Sequence, residues 1–232
     1  MSKRLVWSVL IVAGLVGGYF SYRTLRQGKS RSTTVMEWLR HPQDHPDWAI
    51  TIGTRCAEAP FILPTSGLVG YLWDDTFHAG RHHQGIDIFA GTTAGQTPVV
   101  AAYGGYLTRL PEWKSSVIVR LPDDPLHPGR QIWLYYTHMA DKDGNSYISS
   151  AFPPNSYEIP IETGTLLGYQ GNYSGDSYNP VGVHLHFSIV MDDETGSFRN
   201  ELEIQNTLDP SPYLGLPLNA SLNQGIVPIC PE

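Results

Sequence analysis

Val183-His184-Leu185-His186-Phe187-Ser188-Ile189-Val190 is the stretch from which the rest of the sequence can be read. In an extended segment, successive side chains alternate between the two faces. Val183, Leu185, Phe187 and Ile189 then form one apolar face, while His184, His186 and Ser188 form the other. The pattern predicts a strand with one face in a core and one face carrying chemistry.

Other short runs of the same character surround it. Val99 to Tyr103 and Tyr106 to Leu110 flank Gly104-Gly105, a two-glycine hairpin signal. Ser116 to Leu121 and Gln131 to His138 are rich in β-branched and aromatic residues and are separated by the Pro122 to Gly129 turn. Thr165 to Tyr169 adds another run. With 23 Gly and 18 Pro among 232 residues, and 41% hydrophobic against 16% charged residues, the composition excludes a coiled coil, an all-helical bundle or a long disordered chain. The expected fold is mainly β, an antiparallel sheet domain with an open groove, with an N-terminal transmembrane helix added.

That helix is read from Leu5 to Tyr22, eighteen residues without a charge. At ~1.5 Å per residue it spans about 27 Å, close to the ~30 Å hydrocarbon layer of a bilayer. Tyr19, Phe20 and Tyr22 suit an interfacial belt. The expected organisation is an anchor or signal segment over 1–25, a stalk over 26–49 containing a short helix from Thr33 to Arg40, a globular domain over 50–215, and a tail over 216–232. Val35, Met36 and Leu39 make the apolar stripe of the stalk helix.

Charge argues against a nucleic-acid partner. All 22 acidic residues follow residue 31, and only 9 of the 15 basic residues do, so the body of the chain repels phosphate. Cys56 and Cys230 are placed so that a bridge would tie the tail to the entrance of the domain, which points to an oxidising compartment. The expected location is the cell membrane, single-pass, with the domain outside the cytoplasm, or secretion if the first segment is cleaved.

Nine histidines exceed what packing requires. His41, His45 and His127 fall in polar or turn segments and read as solvated. The informative ones are His83, with Asp87 four residues on, His138 at the end of a strand, and the His184–His186 pair. Two imidazoles and a carboxylate suffice for a catalytic zinc, which commonly takes three protein ligands and leaves a fourth position open. His83 and Asp87 would stand ~13 Å apart in an extended strand, so the chain must curl between them, and Gly85 can adopt a positive φ where the curl needs one. Spacing leaves open whether both residues of the His-x-His pair bind the metal or one stands beside it.

His83-x-x-x-Asp87, Tyr136-Thr137-His138-Met139 and Gly182-Val183-His184-Leu185-His186-Phe187, in this order, resemble the three motifs of the lysostaphin and LytM-type zinc endopeptidases, which are peptidoglycan metallopeptidases. The resemblance extends over about residues 65–192, taking in Gly91 to Ala102 and Glu162 to Gly171. It implies His83, Asp87 and His186 as metal ligands, Zn²⁺ as cofactor, and His138 and His184 as the unligated catalytic pair. It also implies hydrolysis of a peptidoglycan peptide, in the cross-bridge or the stem. Val183 and Ser188 depart from the pattern, at positions where a proline and an acidic residue are frequent. His78 and His82 are expected to line the groove or to support the ligands, and Tyr71, Trp73, Tyr173 and Tyr178 are candidates for its walls. Two other readings fit fewer of these residues: a non-hydrolytic LytM-like module that regulates other wall hydrolases, and a cupin or carbonic-anhydrase type of barrel enzyme, which leaves His138 without a role.

Overall fold

The computed structural model describes residues 31–78, 80–223 and 225–230. The expected membrane segment lies outside the described residues, and no described helix is long and apolar enough to cross a membrane. The described residues begin with helix α1 (Arg31–Arg40), pass through two single-turn 3-10 segments, and then form short strands joined by turns.

Those strands are β1 (Ala49–Ile50), β2 (Gly67–Tyr71), β3 (Thr76–His78), β4 (Arg81–His82), β5 (Ile86–Phe89), β6 (Pro98–Val100) and β7 (Gly105–Arg109). They are followed by β8 (Val117–Leu121), β9 (Ile132–Thr137), β10 (Ser156–Ile161), β11 (Leu166–Tyr169), β12 (Leu185–Met191), β13 (Thr207–Leu208) and a last helical turn, α2 (Ser211–Leu214). Among the described residues the main sheet has nine strands in the order β1-β2-β5-β12-β9-β8-β7-β10, with β13 also paired to β12. Every pairing in it is antiparallel. The mainly-β antiparallel expectation therefore holds.

Strand β12 sits at the centre of this sheet, and its alternation is realised. Leu185, Phe187 and Ile189 are fully buried in the main core with Ile86, Ile88, Leu134 and Tyr136. Each such aliphatic or aromatic side chain contributes about 1.5–3 kcal/mol by leaving water. The opposite face carries His186 and Ser188, then Val190, which packs with Ile118 and Trp133 in a separate cluster. Both faces are covered, so the histidine face is buried chemistry rather than open surface.

Two glycine expectations are corrected. Gly104-Gly105 does not make a hairpin: β6 pairs with β11 in a separate two-stranded sheet, whereas β7 pairs with β8 and β10. A Cβ on Gly105 would stand 2.4 Å from the Arg120 carbonyl oxygen, so the residue serves close strand approach. Gly85 likewise is not among the residues with positive φ. A Cβ there would lie 2.3 Å from the Phe187 carbonyl oxygen, so the glycine lets the chain ahead of β5 lie directly against β12.

Helix α1, placed by the sequence in a spacer, lies against the sheet. Val35 and Trp38, one turn apart, are buried against Leu68 and Phe89. The Trp38 indole donates to the Phe89 carbonyl oxygen at 2.8 Å, and Arg31 pairs with Asp75 at 3.0 Å. Met36, assigned to the apolar stripe, is 47% exposed, because the buried stripe runs through Val35 and Trp38. At the other end, Leu216 and Leu218 enter the main core, and Cys230 forms a disulfide with Cys56, 174 residues away.

Candidate metal centre and groove

Three neighbouring central strands, β5, β12 and β9, bring the three motifs together. Asp87 on β5 and His186 on β12 are direct cross-strand partners, and Thr137 on β9 faces His186 from the other side. Directly opposite residues have their Cβ atoms about 5 Å apart, so register alone joins a carboxylate to an imidazole. His138 follows Thr137 at the end of β9, and His83 arrives from the turn preceding β5.

His83 Nε2 lies 3.1 Å from Asp87 Oδ1 and 3.1 Å from His186 Nδ1, and His186 Nδ1 lies 2.8 Å from Asp87 Oδ1. All three residues are buried, at 6%, 8% and 7% exposure. Among the described residues this is the His/Cys/Asp/Glu group arranged to hold a metal ion.

The hydrogen bonds on the outer sides of the rings decide what these atoms are. His83 Nδ1 is 2.9 Å from the Leu72 carbonyl oxygen, which can only accept, so that nitrogen carries the hydrogen. His186 Nε2 is 2.9 Å from Glu201 Oε1 and donates to it. With both rings neutral, His83 Nε2 and His186 Nδ1 present lone pairs, as does Asp87 Oδ1. A shared cation would satisfy three such lone pairs in mutual contact, and the residues present fit a metal with nitrogen and oxygen ligands.

In the metal-free protein a proton fills that role. Burial disfavours a charged His186, but its bonds to Asp87 and Glu201 outweigh burial and push its pKa up to about 10. Asp87 is held well below the usual carboxylate range despite its burial, because His83, His184 and His186 surround it.

His138 and His184 stand beside this cluster, with ring centroids 4.5 Å apart. His138 Nδ1 donates to the Tyr173 carbonyl oxygen and His184 Nδ1 to that of Gly182, each at 2.6 Å. His184 Nε2 lies 3.5 Å from Asp87 Oδ1. Burial, reinforced by the neighbouring His184 and His186, lowers the His138 pKa to about 3, which keeps this ring neutral.

His138 has a positive φ of 72°, uncommon for a residue with a side chain. The turn it occupies is braced by Gly171, where a Cβ would come within 2.4 Å of the His138 carbonyl oxygen. Phe89 stacks on His184 at 4.9 Å, so α1, through Trp38 and Phe89, helps set this ring.

The cluster opens into a groove of about 770 Å³. Val35, Met36 and Leu39 of α1 line it, as do Tyr71, Tyr135 and Tyr173. Of the expected aromatics, Tyr71 and Tyr173 line the groove. The Trp73 indole instead donates to Thr207 Oγ1, and Tyr178 is 93% exposed without lining the groove. His82 pairs with Asp74 at 2.6 Å, outside the His83–Asp87–His186 group, and the side chain of His78 lies outside the described residues. His45 stacks on Trp48 and pairs with Glu37. Glu201, Phe89 and Tyr135 were not singled out by the sequence. Glu201 lies in a polar turn, and no spacing connects it to His186.

The fold and the site together define a β-sheet protein with a buried His–Asp–His cluster opening into a groove. No family model matches the chain, and no curated protein matches it. Among solved structures it is similar to a LytM, to an M23 protein and to a further chain of another description. One is a LytM of Ruminococcus gnavus described as a glycyl-glycine endopeptidase, at 24% identity and a TM-score of 0.37, covering 57% of this chain and 45% of that one. Another is the catalytic domain of the prophage-encoded M23 protein EnpA of Enterococcus faecalis, as a single-residue variant, at 20% identity and a TM-score of 0.37, covering 64% and 95%. A third belongs to the SpoIIIAH and SpoIIQ complex, at 15% identity and a TM-score of 0.38, covering 66% and 98%. The chain thus spans less than half of the Ruminococcus protein.

Proposed function

We propose that this protein is a zinc metalloendopeptidase that hydrolyses peptide bonds of bacterial peptidoglycan, in the cross-bridge or the stem peptide. One observation carries the reading: His83 Nε2, Asp87 Oδ1 and His186 Nδ1 converge as acceptors within 3.1 Å of one another, with two further histidines beside them. The three motifs of the sequence supply all five side chains. His83, Asp87 and His186 would hold the ion, which, when bound, supplies Lewis-acid activation of a water and of the scissile carbonyl.

The chain's own residues do the rest. His138, kept neutral by burial, and His184, whose Nδ1 is held on a carbonyl oxygen, are suited to take a proton from the attacking water and return it to the departing amine. Whichever ring is not acting as base can hydrogen-bond the developing oxyanion. Fixing both Nδ1–H groups on carbonyl oxygens spares the site reorganisation during the reaction. The groove between α1 and the Tyr173 loop accepts an extended peptide, with Tyr71, Tyr135 and Tyr173 as contact surfaces. An uncleaved N-terminal segment would place the domain outside the membrane, within reach of the wall, and the Cys56–Cys230 disulfide fits such a compartment.

The test is direct. The zinc-loaded chain is expected to lower the turbidity of a cell-wall suspension, to release free amines, and to stop when a chelator is added. Stoichiometric zinc without hydrolysis of any wall type would refute the peptidase reading and favour the non-hydrolytic regulatory module.

A pH prediction accompanies it. The metal-free His186 is protonated below about pH 10, and the metal must displace that proton. Zinc affinity is therefore expected to rise with pH across the neutral range, with about one proton released per ion bound. Calorimetric titration in buffers of different ionisation enthalpy measures this release. A binding heat independent of the buffer would contradict it.

A further inference from the structure

We infer that Glu201 is the positioning residue for His186, fixing which ring nitrogen faces the metal position and how strongly it binds. The inference rests on the metal-site reading above. Glu201 Oε1 accepts from His186 Nε2 at 2.9 Å and from Ser188 Oγ at 3.2 Å. Ser188 lies two residues beyond His186 on the same face of β12 and is fully buried. One carboxylate oxygen thus bridges two successive side chains of the chemical face. Ser188 stands where the resembled family frequently has an acid, and here the carboxylate comes instead from the loop after β12.

That loop is built to deliver it. Phe198, three residues before Glu201, packs between Trp113 and Trp133 with ring centroids 5.8 and 5.5 Å away. On the far side, Gln84 Nε2 donates to the Leu202 carbonyl oxygen at 2.8 Å. Gln84 is the neighbour of His83, so the loop carrying Glu201 is tied to the segment carrying another ligand. The Glu201 side chain is only 14% exposed, which limits competition from water for its hydrogen bond.

A carboxylate behind a ligand imidazole locks the tautomer and raises the basicity of the nitrogen that meets the metal, and removing such a partner typically costs 10–100-fold in metal affinity. In Glu201→Ala, zinc affinity measured by competition with a chromophoric chelator is expected to fall about 10–100-fold. Glu201→Gln keeps an acceptor oxygen without the charge and is expected to lose less than about tenfold. This graded order separates positioning from bulk packing, because a side chain that only filled space would be replaced by Gln, of nearly equal size, without loss of affinity.

A second readout does not depend on zinc. The His186 Nε2–H proton should appear in the NMR spectrum of the full chain as a slowly exchanging signal and vanish in Glu201→Ala. Parent-like zinc affinity in Glu201→Ala, or a surviving protected signal, overturns the inference. If the parent chain itself binds no zinc, the metal reading fails, while the NMR comparison still decides whether Glu201 orients the ring. Should Glu201→Ala not fold, Glu201→Gln alone carries the test, and affinity equal to the parent in that variant, with no change in the signal, refutes the role.

Discussion

His83→Ala is expected to lose both zinc and hydrolysis, whereas His138→Ala keeps zinc and loses hydrolysis alone. His83 Nε2 is one of three atoms in mutual contact at the cluster. Structural zinc sites are worth about 10–16 kcal/mol, so one ligand of three accounts for roughly 3–5 kcal/mol, or about 10²- to several 10³-fold in affinity. His138 is not part of that set. Its ring centroid lies 6.2 Å from that of His186, and its hydrogen bond goes outward to the Tyr173 carbonyl oxygen.

A proton-transfer group typically contributes about 10²–10⁴-fold in rate, and that is the expected loss in kcat for His138→Ala with zinc content unchanged. Because residue 138 has a positive φ, His138→Asn is the better-tolerated companion variant, since Asn accepts this conformation more readily than Ala. Metal analysis of the purified variants beside amine-release assays measures both quantities. Equal zinc loss in the His83 and His138 variants would show that the ligand and base assignments are wrong.

The second large effect concerns stability. Removing the Cys56–Cys230 bridge, by Cys56→Ser with Cys230→Ser, is expected to cost about 2–5 kcal/mol. The bridge closes a loop of 174 residues, for which the chain-entropy account gives roughly 5 kcal/mol. That is a large part of the ~5–15 kcal/mol by which a domain is stable. The bridge also holds the end of the chain near Gly215, where a Cβ would stand 2.5 Å from the Cys56 carbonyl oxygen. Denaturant unfolding of the parent and the double variant measures the difference, and coincident midpoints would show that the native contacts of Leu216 and Leu218 hold this region without the bridge.

How much of this was legible beforehand differs from residue to residue. The central strand was readable because alternation of apolar residues with His184, His186 and Ser188 is a local property of extended chain. The side chains of the cluster could be singled out because imidazole and carboxylate are the groups a zinc site uses. The role of Gly104-Gly105 was not readable, since a glycine pair signals equally a tight turn and a place where another backbone comes close, and here Arg120 comes close. Helix α1 was recognised, but not its docking, which depends on Leu68 and Phe89 presenting a surface for Val35 and Trp38.

The sequence by itself determined the alternating central strand, the kinds of side chain that meet in the cluster and the presence of two further histidines. Tertiary structure alone decided which nitrogen of each ring faces the cluster, because the Leu72 carbonyl and Glu201 set the tautomers from outside. It also decided that Asp87 meets His186 across 99 residues of chain and that Glu201 stands behind the same ring. Strand register and loop packing fix such contacts, and both arise only when distant segments compete for the same buried surface.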